Sequence, residues 1–480
     1  MDFSKPALPS SLLYPVPSAA ALQQQFVGRR LQDVNPPAAV IDVAIVRRNC
    51  ESMLEAAKAL DVGFRAHVKT HKTTELTRLQ VGKDAEEVKL IVSTVAEAEQ
   101  LVPYLLECTS QGRSINLLYG VPPPPSAFPR LAALADLFGP HSISVLIDSF
   151  GTVVELLRFA KTGAWARPIS FFIKVDTGYH RAGAAPQSQQ MEELLDMLAI
   201  CSEDFQLKGF YSHMGHSYGF DSPSESLDGL IAEIEGATKA ADQLVGPRTR
   251  LIAGRKGKLT ITVGSTPTVT ATQNIFSFKA GNTKAKLVSE AISKYKEKYD
   301  VELHAGVYPV LDLQQVATHA RPPSGQQASE LSALPTYLST EYIGLRILVE
   351  VNSVYQDRGQ PQALIAAGTL ALGREPCKSY PGWGIVTPWQ QDSEKRTVSL
   401  TYSEDKRTGW IVGKISQEHG ILTWEGPEKD CRKLEVGDKL MVWPNHACVA
   451  GAGFGWYLVV NSGIDDPDLI IDVWVRWRGW

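Results

Sequence analysis

The sequence predicts an α/β fold in which a (β/α)8 TIM barrel is followed by a mostly antiparallel β domain. Eight short β-like runs recur before residue 306, each followed by helical or loop sequence, and this alternation is typical of a closed parallel barrel. After about residue 340 the segments are rich in β-branched and aromatic residues and are separated by Gly, Asp and Pro turns. A doubly wound open sheet is the competing interpretation of the first part.

The eight predicted barrel strands follow a Pro-rich opening and one further strand–helix segment, VNPPAAVIDVAIVRRNCESMLEAAKAL. Segments between the strands, such as TVAEAEQLVPYLLE and AAPQSQQMEELLDMLAI, have apolar residues at helical spacing. The strands are, in order, GFRAHVK, KLIVST, SINLLYG, ISVLIDS, SFFIKVD, LKGFYSH, LTITVG and VELHAG. We therefore expect the barrel over residues 36–335, and a β domain formed by residues 336–480 together with the N-terminal segment 1–35.

Length and composition restrict the class of protein. At about 150 residues per domain the 480 residues suggest three domains, but a TIM barrel uses about 250 residues as one, so two also fit. Hydrophobic residues make up 44% and charged residues 21%, which is ordinary for a globular protein. The net charge of −4 contains no basic excess for nucleic acid or an anionic membrane. We expect a large soluble enzyme with a small-molecule substrate, and no nucleic-acid or membrane partner.

Cysteine usage and the N-terminus favour a cytoplasmic location. Six cysteines are too sparse for a disulfide scaffold, so reduced thiols are expected. No apolar stretch reaches the ~20 residues of a spanning helix. The opening apolar patch is interrupted by Pro15 and Pro17 and has little basic sequence before it, which argues against a signal peptide. A weak organellar presequence ahead of Arg29 and Arg30 is the alternative.

The run RAHVKTH contains the first candidate site. Side chains alternate along a strand, so Arg65, His67 and Lys69 share one face. Barrel interiors are usually filled by branched apolar residues, and a basic inward row therefore indicates a site. A partly desolvated lysine at a strand's carboxyl end is suited to forming a Schiff base. The alternative is an edge strand with a solvated basic face.

The run GSTPT, directly after LTITV, is a candidate anion site. Consecutive amides and hydroxyls at Gly264, Ser265 and Thr266 could form a nest for a phosphate, and Pro267 could open a helix. The run follows the seventh strand, where barrels commonly bind phosphate. An ordinary strand-to-helix turn is the alternative. A Schiff-base lysine after the first strand and a phosphate cup after the seventh would together suit pyridoxal phosphate.

The run DTGYHRAG follows the fifth strand. Its Asp and Gly residues suit a tight loop that directs Arg181 at an anionic oxygen. A plain turn with a surface arginine is the alternative.

The run YSHMGH brings Tyr211, His213 and His216 just past the sixth strand. These side chains could bind a metal or could stack on and orient a cofactor. Most loop histidines do neither.

The run PNHAC in the β domain contains a candidate zinc pair. His446 and Cys448, two residues apart, can point the same way, and zinc favours nitrogen and sulfur ligands. No second Cys or His lies nearby in the sequence. If metal binds, water or substrate would fill the other positions, which favours a catalytic site over a structural one.

Taken together, the motifs resemble those of the D-serine dehydratase family. RAHVKTHK, DTGYHRAG, YSHMGHSYG, GSTPT, ELHAGVYPVLD, SQEHG and PNHAC occur in the order seen in its zinc- and pyridoxal-phosphate-dependent eukaryotic members. This family is related to D-threonine aldolases and more distantly to alanine racemase. The resemblance covers about residues 36–475, and it implies a barrel of alanine racemase type, a β domain and a homodimer. The long segment 222–259 departs from the commoner family pattern.

The resemblance also implies roles for individual residues. Lys69 matches the Schiff-base lysine, Arg181 the arginine near the cofactor's phenolic oxygen, and His446 with Cys448 the zinc ligands. The residues near the cofactor's ring and phosphate would be His67, Tyr211, His213, Gly264, Ser265 and Thr266. Lys69 and Arg181 would be catalytic, and the reaction would convert D-serine into pyruvate and ammonia by elimination of the β-hydroxyl.

Three alternative functions remain open at this stage. A D-threonine or β-hydroxy-D-amino-acid aldolase would use the same lysine but cleave Cα–Cβ. Aldolase relatives have an aspartate in place of the cysteine of the His–Cys pair, which favours a dehydratase. D-3-Hydroxyaspartate dehydratases share the pair and are the second alternative. A non-catalytic pyridoxal-phosphate-binding protein is the third, and it would need neither the β domain nor a metal.

Overall fold

Two β-sheets organise the chain. The computed structural model describes residues 14–276, 283–323, 337–389 and 408–480. Eight parallel strands form a closed barrel, and nine strands form a second, mostly antiparallel sheet. Within these ranges no helix is both long and apolar enough to cross a membrane. None of the six cysteines forms a disulfide.

The barrel strands coincide with the eight runs that the sequence predicts. The strands are β2 (Gly63–His67), β3 (Glu87–Val92), β4 (Ser114–Tyr119), β5 (Ile143–Ile147), β6 (Ile169–Lys174), β7 (Phe205–Tyr211), β8 (Thr260–Val263) and β9 (Asp300–Ala305). Each strand pairs in parallel with the next, and β2 pairs with β9. The predicted closed barrel is confirmed, and the open doubly wound sheet is excluded.

Helices alternate with these strands and cover the barrel. They are Thr74–Val81, Val95–Ser110, Phe128–Phe138, Phe150–Ala160, Gln189–Ile200, Pro223–Ala241, Thr266–Thr270, Thr283–Lys296 and Leu313–Val316. Several begin at a Ser or Thr whose side-chain oxygen accepts a backbone N–H of the first turn, as Thr94 and Ser222 do. Helix Pro223–Ala241 lies between β7 and β8, so part of the long segment 222–259 is one of the barrel's own helices.

The barrel interior is layered. Near its amino-terminal end, Arg65 donates to Glu302 at 2.6 Å between Nε and Oε1, and Lys89 lies 3.1 Å from the same carboxylate. An apolar layer follows, consisting of Ile91, Leu118, Leu146, Phe172 and Tyr211. The remaining inward side chains, at the carboxyl-terminal mouth, are mainly polar. This order places polar side chains at the carboxyl-terminal mouth of an otherwise filled barrel.

The second sheet is built from both ends of the chain. Its strands are β1 (Ala38–Asp42), β10 (Leu345–Tyr355), β11 (Gln362–Ile365), β12 (Gly384–Val386), β13 (Gly409–Ile415), β14 (Gly420–Glu425), β15 (Lys439–Pro444), β16 (Trp456–Val460) and β17 (Asp472–Val475). The strand order is β11-β14-β13-β12-β15-β10-β1-β16-β17, and β10 also pairs with β11, so six strands close on themselves. Only the β1–β16 pair is parallel among these described strands.

Helices Ala19–Phe26 and Val43–Ala59 flank β1, and short helices Thr369–Leu372 and Ala447–Ala452 lie near the later strands. Leu22 and Leu31 of the N-terminal segment pack with Leu458 and Val473 of the second sheet. Strand β1 belongs to this sheet as well, so the predicted barrel range 36–335 is wrong at its start. The physical reason is that β1 pairs with β10 and β16. The predicted boundary near 335 stays a prediction, because residues 324–336 lie outside the described ranges.

Candidate active site

Lys69 lies at the barrel mouth, two residues beyond the end of β2. Alternation along the strand directs Arg65 and His67 inward, whereas Ala66 and Val68 are buried in the main hydrophobic cluster outside the barrel. Because β2 is paired on both sides, by β3 and β9, the edge-strand alternative is excluded. The basic row therefore runs along the barrel interior from Arg65 through His67 and ends at Lys69.

His67 stands beside Lys69 on this inward row. Its Nε2 is 3.3 Å from Ser93 Oγ, and its Nδ1 is 3.4 Å from the backbone N of Lys69. Burial, followed by the charge of Lys69, holds the pKa of His67 well below its ordinary value. The imidazole is therefore neutral at physiological pH.

Three aromatic rings form a column beneath the mouth. Tyr211 and His304 are stacked at 4.4 Å between ring centroids with an interplanar angle of 7°. His213 continues the stack, 5.9 Å from His304. The Nδ1 of His213 lies 2.8 Å from the carbonyl oxygen of Gly264. Burial and the charge of Lys69 hold the pKa of His213 well below its ordinary value, so this ring is also neutral.

The predicted anion cup follows β8 and is rich in hydroxyl groups. Gly264 has φ +138°, and an added Cβ would lie 2.4 Å from Val269 Cγ2 and 2.5 Å from the His304 carbonyl oxygen, so a side chain is excluded. Ser265 Oγ lies 2.6 Å from Ser217 Oγ, and Thr266 Oγ1 accepts from the backbone N–H of Val307 at 3.2 Å. These contacts hold the ends of three neighbouring barrel strands in one fixed arrangement.

Arg181 is exposed on the loop after β6, with its guanidinium 5.2 Å from the centre of the Tyr179 ring. Its positive charge contributes to the lowered pKa of His213 and of Lys174, which puts it within electrostatic reach of the mouth.

The sequence reasoning missed two buried ionisable residues beside this loop, Lys174 and Glu233. Lys174, at the end of β6, has its Nζ 5.1 Å from the centre of the Tyr211 ring, and burial lowers its pKa to about 8. Burial raises the pKa of Glu233, on helix Pro223–Ala241, to about 7, although the Ser212 hydroxyl and Lys174 act against this. The available signal for Glu233 was an acidic residue on an otherwise apolar helix face.

The β domain brings His446 and Cys448 to the same mouth. Cys448 Sγ lies 3.1 Å from Thr70 Oγ1, next to Lys69. Burial opposes ionisation of both groups, but their mutual hydrogen bond raises the pKa of His446 to about 9 and lowers that of Cys448. The charge of Lys69 also lowers the Cys448 pKa, so the pair and the lysine share one electrostatic environment.

Asp312, which sequence reasoning missed, supports this pair from the barrel side. Its carboxylate accepts the backbone N–H of Ala447 and of Gln315, both at 2.9 Å. Asn445, the residue before His446, donates to the carbonyl oxygens of Glu375 and Gly382, and these hydrogen bonds fix the start of the segment that contains the pair. In the described part of the chain no group of three or more His, Cys, Asp or Glu residues could hold a metal ion. His446 and Cys448 are thus a group of two and not part of a larger cluster of such residues within the described ranges.

His216 is exposed and does not join the column. It contacts Tyr179 and Phe220, with ring centroids 5.9 Å and 5.8 Å away. The structure therefore brings Lys69, His67, the Gly264 cup and the His446–Cys448 pair to one mouth, with Tyr211 and His213 in the ring column directly beneath it and Arg181 at the rim.

The sequence matches two known families. One, described as "Putative serine dehydratase domain", matches residues 344–460, and the other, "Alanine racemase, N-terminal domain", matches residues 41–254. The chain is 33% identical to the D-serine dehydratase of Schizosaccharomyces pombe, with 98% of each chain covered. It is 31% identical to that of Saccharomyces cerevisiae, covering 95% of this chain and 99% of the relative.

A solved structure, the D-threo-3-hydroxyaspartate dehydratase of Delftia sp. HT23, is similar with a TM-score of 0.68 and 25% identity, covering 94% of this chain and all of that one. The D-threonine aldolase of Filomicrobium marinum has a TM-score of 0.62 at 19% identity and shares the fold.

Proposed function

The chain belongs to the D-serine dehydratase family, and from this premise we propose that it is a pyridoxal-phosphate- and zinc-dependent lyase that converts D-serine into pyruvate and ammonia. The proposed site is the barrel mouth at which Lys69 meets the His446–Cys448 pair.

The residues present at the mouth fit pyridoxal phosphate. Lys69 would hold it through its amine, and Gly264, Ser265 and Thr266 would receive its phosphate at a turn whose close packing against Val269 and the His304 backbone leaves no room for a Cβ at residue 264. The neutral rings of His67, Tyr211 and His213 would lie beside the pyridine ring, and Arg181 would face its phenolic oxygen. When bound, this cofactor supplies an electron sink for a carbanion at Cα.

Lys69 also acts as the base in this proposal. Its free amine would take the proton from Cα of the D-amino acid. His67 and His213 are kept neutral by burial, so neither adds positive charge beside this amine. The apolar layer below the mouth excludes water from the barrel side.

His446 and Cys448 fit a zinc ion with open positions, because imidazole nitrogen and thiolate sulfur are preferred zinc ligands. When bound, zinc would act as a Lewis acid toward the leaving β-hydroxyl. Asp312 would orient the pair through the Ala447 amide, as outer residues commonly do at metal sites.

The observation that carries the proposal is the proximity of Lys69 and Cys448. Thr70, next to Lys69, has its Oγ1 3.1 Å from Cys448 Sγ, and the positive charge of Lys69 helps to lower the pKa of Cys448. The Cα proton and the β-hydroxyl are on adjacent carbons, so a base at Lys69 and a metal at the neighbouring Cys448 could act on one substrate. A non-catalytic cofactor carrier would need no second domain beside its lysine.

The test is a substrate panel on purified protein whose zinc and cofactor contents have been measured. We expect D-serine to give equimolar pyruvate and ammonia, with loss of activity after chelation and recovery with Zn²⁺. Glycine and acetaldehyde from D-threonine, without pyruvate from D-serine, would instead establish an aldolase. Absence of turnover on every D-amino acid would favour a carrier.

A second substrate, D-threo-3-hydroxyaspartate, belongs in the panel because the Delftia dehydratase named for it is similar over the whole chain. We expect a higher kcat/KM for D-serine, because the relatives with higher identity are D-serine dehydratases.

The proposal includes a cytoplasmic homodimer. The absence of disulfides among the six cysteines supports a reducing compartment, and the dimer rests on the family resemblance. Light scattering of the holoenzyme and fractionation of cells test the two statements.

A further inference from the structure

Lys174 has a buried amine that no other group pairs with. It is the last residue of β6, and only 5% of its surface is exposed. Its Nζ lies 5.1 Å from the centre of the Tyr211 ring. Within the described ranges this Nζ forms neither a hydrogen bond nor an ion pair. Buried charged groups are usually paired, so this amine needs an explanation.

The side chain of Lys174 points into the barrel mouth. Phe171 and Ile173 belong to the main hydrophobic cluster outside the barrel, whereas Phe172 belongs to the apolar layer inside it. Because side chains alternate along a strand, Lys174 shares the inward face with Phe172 and lies one layer nearer the mouth. Strand β6 is four strands away from β2 in the eight-stranded barrel. Lys174 therefore lies on the wall opposite the strand that leads to Lys69.

The carboxylates around Lys174 are engaged by other donors. Glu233, Asp148 and Asp176 all act on its charge, but none of them forms an ion pair with it in the described part of the chain. Asp176 accepts two backbone amides of its own loop, each at 3.0 Å, and Asp148 accepts a third amide of that loop at 3.1 Å. Glu233 is stabilised by the hydroxyl of Ser212. The amine thus remains available to an anion that enters the mouth.

Lys174 is mainly protonated at neutral pH. Burial lowers its pKa to about 8; Glu233 acts against this, and the neighbouring Arg181 reinforces it. An ammonium group in this surrounding of low polarity interacts more strongly with an anion than one in water does. The energetic cost of burying the charge is recovered when such an anion binds.

We propose that Lys174 binds the α-carboxylate of the D-amino acid substrate. The inference rests on the proposed function, since it requires the substrate to react at this mouth. In that proposal the phosphate of the cofactor has the turn at Gly264 as its partner, and the phenolic oxygen has Arg181. The carboxylate of the amino acid is the remaining anion, and it keeps its charge throughout the elimination.

This assignment gives each group of the substrate a separate wall of the mouth. The Cα proton would face Lys69 and the β-hydroxyl would face the His446–Cys448 pair, which Thr70 contacts on the same side. A carboxylate held at the opposite wall by Lys174 cannot compete with the hydroxyl for the metal. Three attachments at different walls also distinguish the D-enantiomer from the L-enantiomer.

The test is a thermodynamic cycle between one residue and one group of the ligand. Wild-type holoenzyme and Lys174→Met, whose side chain has a similar length without charge, are titrated with D-alanine and with D-alaninamide. Neither ligand has a β-hydroxyl to eliminate, and the amide replaces the carboxylate by a neutral group. The visible spectrum of the bound cofactor reports the two dissociation constants. We expect the preference for D-alanine over the amide to fall about 10- to 100-fold in Lys174→Met, as loss of one charge-assisted hydrogen bond implies. An unchanged preference would overturn the proposal.

Controls separate a direct contact from a structural effect. Lys174→Arg, which keeps the charge, should retain most of the preference, and Lys161→Met, an exposed position shortly before β6, should retain all of it. Zinc and cofactor contents of Lys174→Met should equal those of wild type. If Lys174→Met does not fold, wild type still decides, because equal affinity for D-alanine and its amide would contradict a cation at the carboxylate.

The same measurements distinguish this inference from the proposed function. Failure of wild type to bind pyridoxal phosphate or any D-amino acid would refute both. Normal turnover of D-serine, with a preference for the carboxylate that Lys174→Met leaves unchanged, would refute only the role of Lys174.

Discussion

At the scale of single residues, the proposal depends most on Lys69. We expect Lys69→Ala to lower kcat for D-serine by about a thousandfold or more, since removal of a general base alone costs 10²–10⁴. The visible absorbance of the bound cofactor should disappear as well. Exposed Lys83, at the opposite end of the barrel, provides the matched control, and Lys83→Ala should leave both measurements unchanged. Retention of colour and turnover in Lys69→Ala would end the assignment.

Cys448 gives the second residue-scale prediction. Cys448→Ser should reduce bound zinc, measured by elemental analysis, and lower kcat by about a thousandfold, because Lewis-acid assistance contributes several kcal/mol. Cofactor absorbance should persist, since the residues that would hold the cofactor are elsewhere. Cys431→Ser, in the same domain but away from the mouth, is the control. Unchanged elimination in a zinc-free Cys448→Ser protein contradicts the proposed metal role.

At the scale of elements, the turn after β8 must approach β9 closely, and this depends on Gly264. Gly264→Ala combines an unfavourable φ with a Cβ 2.4 Å from Val269 Cγ2, so the turn must shift. We expect the dissociation constant for pyridoxal phosphate to rise at least about tenfold, because a displaced turn no longer presents its hydroxyls together. Gly151→Ala, where a Cβ meets nothing within 4 Å, should bind normally. Equal affinities in the two variants would argue against a phosphate site at this turn.

The ion pair between β2 and β9 determines part of the acid stability. Burial would raise the pKa of Glu302, but Arg65 and Lys89 lower it to about 2. A folded-state pKa below the unfolded value of about 4.3 means that the stabilisation is complete above pH ~5 and is lost as pH falls toward 2.

Glu302→Gln should therefore lower Tm by several degrees at pH 7. The difference in Tm between the variant and wild type should become smaller as pH falls from 5 to 3. The reason is that the glutamine leaves Arg65 buried without its counter-charge. Glu86→Gln, on an unburied turn before β3, is the control. A Tm difference independent of pH would contradict the role of ionised Glu302.

At the scale of the whole molecule, the site exists only where barrel and β domain meet. Asp312 follows β9, yet it accepts the amide of Ala447 between the two proposed zinc ligands. Asp312→Asn places an amide group where a carboxylate now receives two N–H donors. We expect zinc affinity to fall about 10- to 100-fold, measured by competition with a chromogenic chelator, as for other second-layer partners of metal ligands. Asp466→Asn, on an exposed ion pair, should not change it.

How much of the molecule could be predicted from sequence differs between its parts. The eight barrel strands were predictable because each is a local run of β-forming residues with helical sequence after it. The basic row ending at Lys69 followed from strand alternation alone. Asp312 could not be predicted from local sequence, because its role depends on the amide of Ala447, which is 135 residues away along the chain.

Long-range strand pairing explains the error in the predicted start of the barrel. Residues 38–42 were recognised as a strand, but their partners are residues 345–348 and 458–460, which no local pattern reveals. The proximity of Thr70 to Cys448 likewise joins positions 378 residues apart. Among the sequence observations, only the resemblance to the family links the motifs RAHVKTHK and PNHAC.

The position of β1 has a consequence for biosynthesis. All eight barrel strands lie between residues 63 and 305, so the barrel can close while the ribosome is still translating later codons. The second sheet cannot be completed at that point, because β1 lies between β10 and β16, and β16 is the second-last strand to be synthesised. Pairing over such sequence distances is slow compared with local folding. The nascent chain therefore acquires its lysine-bearing mouth first, and the metal-binding pair arrives only when synthesis is almost finished.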